Sequence, residues 1–147
     1  MKHAMIPDTQ IYPGSKLEHI AAAARYIRKH KPEKIIIIGD WWDMKGLSSY
    51  DKPGSKGWED KDVQADFDCG WVAMKSFLKT LRSSKYSPEV HFAVGNHEDR
   101  ITRTADSGEM RMMGTFLDLD EKILQPLQDL DVITHNFLDI FTLDGIC

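Results

Sequence analysis

The chain of 147 residues is long enough for one domain with a hydrophobic core. Its 41% hydrophobic and 29% charged residues are ordinary for a globular fold, and a net charge of −4 excludes a global basic field for nucleic acid. No apolar run reaches the length of a membrane span, and two cysteines do not make a disulfide framework, so a cytoplasmic, reduced protein without membrane contact is expected.

Asp8 follows the start too closely for a signal peptide. His3-Ala4-Met5-Ile6-Pro7 reads as a strand leading into Asp8-Thr9-Gln10. Tyr12-Pro13-Gly14 is a turn signal, and Ser15 with Glu18 forms a Ser-x-x-Glu capping-box pattern. Leu17, Ile20, Ala21, Ala24 and Ile27 recur at helical spacing. Arg28, Lys29, His30 and Lys31 suit the negative end of the helix dipole, and Pro32 stops the helix.

The unbroken run Ile35 to Ile38 predicts a strand of a parallel sheet, buried on both faces. It ends in Gly39-Asp40-Trp41-Trp42-Asp43. Open α/β sheets bind ligands beyond the carboxyl ends of their strands, so Asp40 and Asp43 stand where a site is expected.

Residues 44–62 have no clear period and contain Gly46, Pro53, Gly54 and Gly57. A loop this long is a lid or substrate-contact segment, or a solvated loop whose Tyr50 and Trp58 pack on the domain. Gly54-Ser55-Lys56-Gly57 lacks the spacing of a P-loop. Val63, Phe67, Trp71, Met74, Phe77 or Leu78, and Leu81 predict a helix over 60–83, with Cys69 and Met74 as core.

Val90 to Val94 predicts another strand, followed by Gly95-Asn96-His97-Glu98-Asp99-Arg100. Residues 109–114 read as a short helix, and Pro126 breaks any long helix over 117–130. Residues 131–134 and 137–143 alternate as two strands, a hairpin through His135-Asn136.

Three strand ends thus carry Asp8, Asp40, Asp43, Asn96 and His97. Their oxygen and imidazole groups suit a hard or borderline divalent cation. Each also has an ordinary reading. Asp8 and Asp40 serve as turn or cap residues elsewhere, Asn96 as a left-handed turn residue, and His97 as a surface histidine. Their repetition after successive strands favours a site. Arg100 offers a fork of donors for phosphate, or is a solvated charge beside Glu98 and Asp99. Trp41 and Trp42 line the pocket or pack inward. His3, His19, His30 and His91 carry no proposed role, and His135 is a weaker candidate ligand.

Asp8-x-Gln10, Gly39-Asp40-x-x-Asp43 and Gly95-Asn96-His97-Glu98, in this order and each after a strand, resemble the calcineurin-like metallophosphoesterase superfamily. The wording is similar to that of phage-type phosphoesterases. The resemblance covers residues from about 3 to 100. It implies a single α/β domain over 1–147, corresponding to the N-terminal two-thirds of a sandwich of two β-sheets flanked by helices. The second sheet would be incomplete. It also implies two divalent ions, Mn2+ first, with Mg2+, Fe2+, Ni2+ or Zn2+ as alternatives.

Carried over residue by residue, the resemblance makes Asp8 a ligand of one ion and Asp40 the bridge between both. Asn96 gives its amide oxygen to the second ion. His97 faces the phosphoryl and leaving-group oxygens, and Asp43 orients it. Gln10 stands where the family has a histidine, and its harder amide oxygen leans the first site toward manganese or magnesium. The family's later Gly-His-x-His motif is missing, which predicts a truncated copy.

The implied activity is hydrolysis of a phosphomonoester or phosphodiester by a metal-bound hydroxide, assisted by His97. Two cations roughly 4 Å apart stabilise both ends of an in-line displacement. The substrate would be a nucleotide, a nucleic acid or a phosphoprotein. Arg100 and Trp42 are the candidate substrate contacts. The rival reading is a catalytically weak or inactive module that keeps the fold and binds nucleic acid or assembles. Lys45, Lys52, Lys56 and Lys61 beside Tyr50 and Trp58 would then contact a strand.

Overall fold

The computed structural model describes residues 2–50, 54–59, 61–107 and 116–145, without the side chains of Trp58 and Glu59. Four strands, β1 (His3–Ile6), β2 (Lys34–Ile37), β3 (Glu89–Ala93) and β4 (Val132–His135), form one parallel sheet in the order β1-β2-β3-β4. Parallel neighbours need crossover connections. The helix α1 (Glu18–His30) lies between β1 and β2 in the chain. The short α2 (Lys56–Glu59) and the long α3 (Val63–Leu81) lie between β2 and β3. The helix α4 (Asp99–Asp106), a π turn (Asp120–Leu124) and α5 (Gln125–Gln128) lie between β3 and β4.

One face of the sheet is built as the isoleucine run predicts. Ile6, Ile35, Ile37, Val90, Phe92 and Val132 share a core with Ile20, Ala24 and Ile27 of α1 and Phe67, Met74, Phe77, Leu78 and Leu81 of α3. Each such side chain contributes roughly 1.5–3 kcal/mol on burial, against roughly 0–1 kcal/mol for an exposed ion pair. The core therefore governs the fold.

The other face departs from the expected double burial. Met5, Ile36, His91 and Ile133 form one row across the sheet. Ile36 and His91 are buried in its middle, but Met5 is 64% and Ile133 45% exposed. Ile38 lies past the end of β2 and is 42% exposed. Among the described residues the second sheet of a sandwich is absent. The expected hairpin is absent too. Val94 N donates to His135 O at 3.0 Å, which carries the parallel pairing past β3. Asn136 then opens a turn, donating from its N to Asp139 Oδ2 at 2.9 Å.

Local signals also resolve differently from their first reading. Ser15 does not cap α1; its Oγ accepts from Tyr12 N at 2.9 Å and closes the preceding turn. Asp62 caps α3, accepting from Ala65 N at 2.9 Å. No long α-helix spans 117–130: a π turn (Asp120–Leu124) runs into the four-residue α5, with Pro126 in its first turn and Gln125 N donating to Asp120 O. Tyr50 is 88% exposed, so it does not pack on the domain. The expected helix over 109–114 lies outside the described residues, as does Cys147.

Over the open face, Phe141 stacks on His135 with ring centroids 3.5 Å apart. His91 Nδ1 meets His135 Nε2 at 2.9 Å, and His91 Nε2 meets Glu89 Oε1 at 2.7 Å. Lys34 sits 2.6 Å from the same Glu89 oxygen and, more than His91, holds that carboxyl below its usual range. An ionised carboxylate only accepts. His91 Nε2 therefore carries a proton toward Glu89, and its Nδ1 shares a hydrogen bond with His135 Nε2.

Burial, and then His91, push the His135 pKa down, while Asp139 opposes them. The unfolded chain consequently binds this proton more readily. Stability is full above about 6.5, the unfolded value, and is lost as pH falls from there through the lower folded value. Urea midpoints measured across this window should fall in the wild type and fall less steeply in His135→Gln. Equal slopes would remove His135 from the account.

Gly70 gives a second test. An alanine in an exposed helix interior gains about 1 kcal/mol over glycine. Here the added Cβ would overlap Trp42 Nε1, and overpacking costs about 1–3 kcal/mol. Gly70→Ala should therefore lower the thermal midpoint; a raised midpoint would contradict the packing described.

Candidate active site

The tips of β1, β2 and β3 lie side by side because the strands are parallel and in register, with Ile6 level with Ile37 and Ile37 with Phe92. The chain after β1 then runs beside the chain after β2. Gln10 N donates to Asp40 O at 2.8 Å, Ile11 N to Trp41 O at 2.7 Å, and Asp43 N to Ile11 O at 2.9 Å.

The turns after β2 and β3 touch backbone to backbone. Gly39 has φ +86°, and a Cβ there would lie 2.5 Å from Gly95 Cα. A Cβ on Gly95 would overlap the Asp40 carboxylate. Only glycine fits at either place. Asp40 follows in the left-handed region at φ +52°, which aspartate tolerates better than most residues.

A buried carboxylate holds this arrangement. Glu98 is fully buried. Its Oε2 accepts from Asp40 N and Gly95 N, both at 2.9 Å, and its Oε1 accepts from Trp42 N at 3.0 Å. Burial pushes its pKa up, and the three backbone donors pull against that. Sequence reasoning gave Glu98 no role. Its one local signal is the three-residue spacing from Gly95, which suits a side chain closing a turn.

Four of the expected residues form a bonded unit. Asp40 Oδ1 accepts from His97 N at 2.8 Å. His97 Nδ1 lies 2.7 Å from Asp43 O and 3.1 Å from Asp43 Oδ1. Arg100 Nη1 donates to Asp43 O at 2.9 Å, and Nη2 sits 3.1 Å from His97 Nε2. Arginine has no acceptor. His97 Nε2 is therefore the acceptor, and the ring proton sits on Nδ1, facing Asp43.

The remaining residues stand apart. Asp8, Gln10 and Asn96 are exposed. The Asn96 backbone oxygen accepts from Arg103 Nη2 at 2.8 Å. Asp8 lines a cavity of about 250 Å³ with Thr9, His19, Trp41 and Phe77. Asp43 lines a different one, of about 270 Å³, with Tyr12, Lys45, Ser48 and Arg100. Trp42 is not a substrate contact. It is fully buried, donates from Nε1 to Phe67 O at 3.3 Å and packs edge-on against Trp71 and Phe92. Trp41 is equally buried, donating to Gly70 O at 3.1 Å. His135 belongs to the histidine stack on the sheet face and not to these turns.

The expected metal ligands Asp8, Gln10, Asp40 and Asn96 present oxygen only, a donor chemistry that fits a hard cation such as Mg2+ or Mn2+. Among the described residues no group of three or more His, Cys, Asp or Glu side chains is placed to hold a metal ion. The expected set contains two carboxylates, and its other donors are amides. Also among the described residues, no helix is long and apolar enough to cross a membrane.

No protein-family model matches the chain, and no curated protein matches it. The likeness to metallophosphoesterases therefore rests on the three motifs and their place on the strands.

Glu98→Gln tests the buried hub. One amide face would point N–H groups at backbone N–H groups, and an unsatisfied buried donor costs about 1–3 kcal/mol. Chemical denaturation should show a stability loss of that order. A variant as stable as the wild type would show that the carboxylate does not hold the two turns.

Proposed function

We propose that the protein is a metal-dependent phosphoesterase acting on a phosphomonoester or phosphodiester. The observation that supports this most is the bonded unit of Asp40, His97, Asp43 and Arg100 at the carboxyl end of a parallel sheet. In this reading Asp8, Gln10, Asp40 and Asn96 hold one or two divalent ions, Mn2+ first. Bound there, such ions would supply charge neutralisation at the phosphate and a more acidic water.

The chain's own groups do the rest. Asp43 keeps His97 Nδ1 protonated and the ring oriented. Arg100 withdraws from His97 Nε2 toward the substrate anion, for which its planar fork is suited. Nε2 is then open to exchange a proton with the ester oxygen. The Asp40 carboxylate is steered by the His97 backbone N–H, which fixes one of its oxygens.

The test is hydrolysis of an aryl phosphodiester and an aryl phosphomonoester with added Mn2+. Asp40→Asn and His97→Ala should each lower the rate on the order of a hundredfold, and chelation should abolish it. Wild-type rates in both variants would overturn the assignment.

One observation favours the rival reading of a non-catalytic assembly module. The sheet leaves Met5 and Ile133 exposed, and Ile38, Leu138 at 81% and Ile140 at 89% are exposed as well. A calorimetric Mn2+ titration separates the readings, since an absence of binding at millimolar metal would favour assembly over catalysis.

A further inference from the structure

We infer that the cavity beside His97, lined by Tyr12, Asp43, Lys45, Ser48 and Arg100, is an oxyanion subsite that takes the phosphate of the substrate. It rests on the proposed activity only for the identity of the oxyanion. The cavity's own chemistry calls for an acceptor-rich ligand.

The lining is rich in donors. Two of the five Arg100 N–H groups face Asp43 O and His97 Nε2, which leaves others for a ligand. Lys45 is exposed, and its ammonium takes part in none of the hydrogen bonds or ion pairs seen among the described residues, although its charge is felt by Asp66 behind it. The Tyr12 hydroxyl likewise has no partner among the described residues, and the residue is 48% exposed. The one acidic lining group, Asp43, is already engaged with His97 at 3.1 Å. Two cations line the cavity against one committed carboxylate, and the second carboxylate nearby, Asp66, is buried beneath the turn and occupied by Gly46 N. A dianionic oxyanion meets both requirements, with arginine gripping it through parallel N–H bonds and lysine as a point charge.

The subsite is built and not a chance dip in a loop. Asp66 of α3, buried at 2% exposure, accepts from Gly46 N at 2.6 Å and so pins the turn that carries Lys45. Lys61 Nζ donates to Ser48 O at 2.6 Å and ties down the next residues. Ser15 Oγ holds Tyr12 N at 2.9 Å from the other side. At about 270 Å³ the cavity falls below the range of roughly 300–1,000 Å³ for drug-sized ligands. It suits one phosphate and a small part of the group that bears it. The position of Arg100 links recognition to chemistry, because the anion draws away the group that occupies His97 Nε2.

The experiment is a titration of the metal-free full chain with inorganic phosphate at constant ionic strength, followed by amide chemical shifts. Saturable shifts at Tyr12, Ser48 and His97 are expected. Lys45→Gln should weaken the dissociation constant on the order of tenfold, the size of one charge-assisted hydrogen bond. Lys29→Gln, on the exposed side of α1, should leave it unchanged. An absence of saturable shifts up to tens of millimolar phosphate would overturn the subsite, as would equal weakening in both variants. Phosphate binding without ester hydrolysis would sink the catalytic proposal and leave the subsite standing. Hydrolysis without phosphate binding would do the reverse.

Discussion

The Glu98 carboxylate is the constraint on which the strand-end region depends. It sits in the interior and takes three backbone N–H groups, two from the turn after β2 and one from the turn after β3. Those donors have no strand partners, because the sheet has ended and the turns have left its plane. In a low-dielectric interior three unpaired N–H groups would cost several kcal/mol, so one side chain decides whether two loops lie together. The two glycines are the steric counterpart. Gly39 and Gly95 let the backbones approach within a distance that any Cβ would prevent.

From that hub the chemistry is oriented without a large cavity. Asp40 is turned by the His97 amide, and His97 by Asp43. Arg100 reaches back across both. The unit is cross-bonded, with His97 fixed through Asp43 and its own backbone N–H. Asp8 approaches through backbone pairing of residues 10–11 with 40–43, but its side chain opens on another cavity. The strand tips therefore carry a hydrogen-bonded cluster of Asp40, His97, Asp43 and Arg100, with Asp8, Gln10 and Asn96 exposed apart from it.

The sheet itself is unequal on its two sides. One is filled by α1, α3 and the segment around α5, and their aliphatic and aromatic side chains supply most of the burial. The other is covered in its middle by stacked rings of His91, His135 and Phe141, while apolar residues around them face solvent. The imidazoles are held by hydrogen bonds running out to Glu89 and Lys34. Such a chain of polar contacts on a sheet face is weaker than aliphatic packing and responds to protons.

How much was legible beforehand depends on the range of the interaction. The strands at His3, Ile35 and Val90 and the long helix ending near Leu81 follow from periodicity and short apolar runs, which are local properties. The parallel order follows from helices placed between strands. That order puts Asp40, Asp43 and His97 at one end of the sheet. Ser15 closes a turn instead of capping α1 because its hydroxyl suits either local role, and only the path of the neighbouring chain selects between them.

By itself the sequence determined which candidate residues follow the strands and which end of the sheet they occupy. Tertiary structure alone decided that Trp42 is core, that Glu98 is the hub, and that Arg100 occupies the outward nitrogen of His97. It also left one sheet face open, where four isoleucines had suggested burial on both. The physical reason is the same in each case. Local propensity depends on a few neighbours in the chain, whereas burial and hydrogen-bond partnership depend on groups tens of residues away.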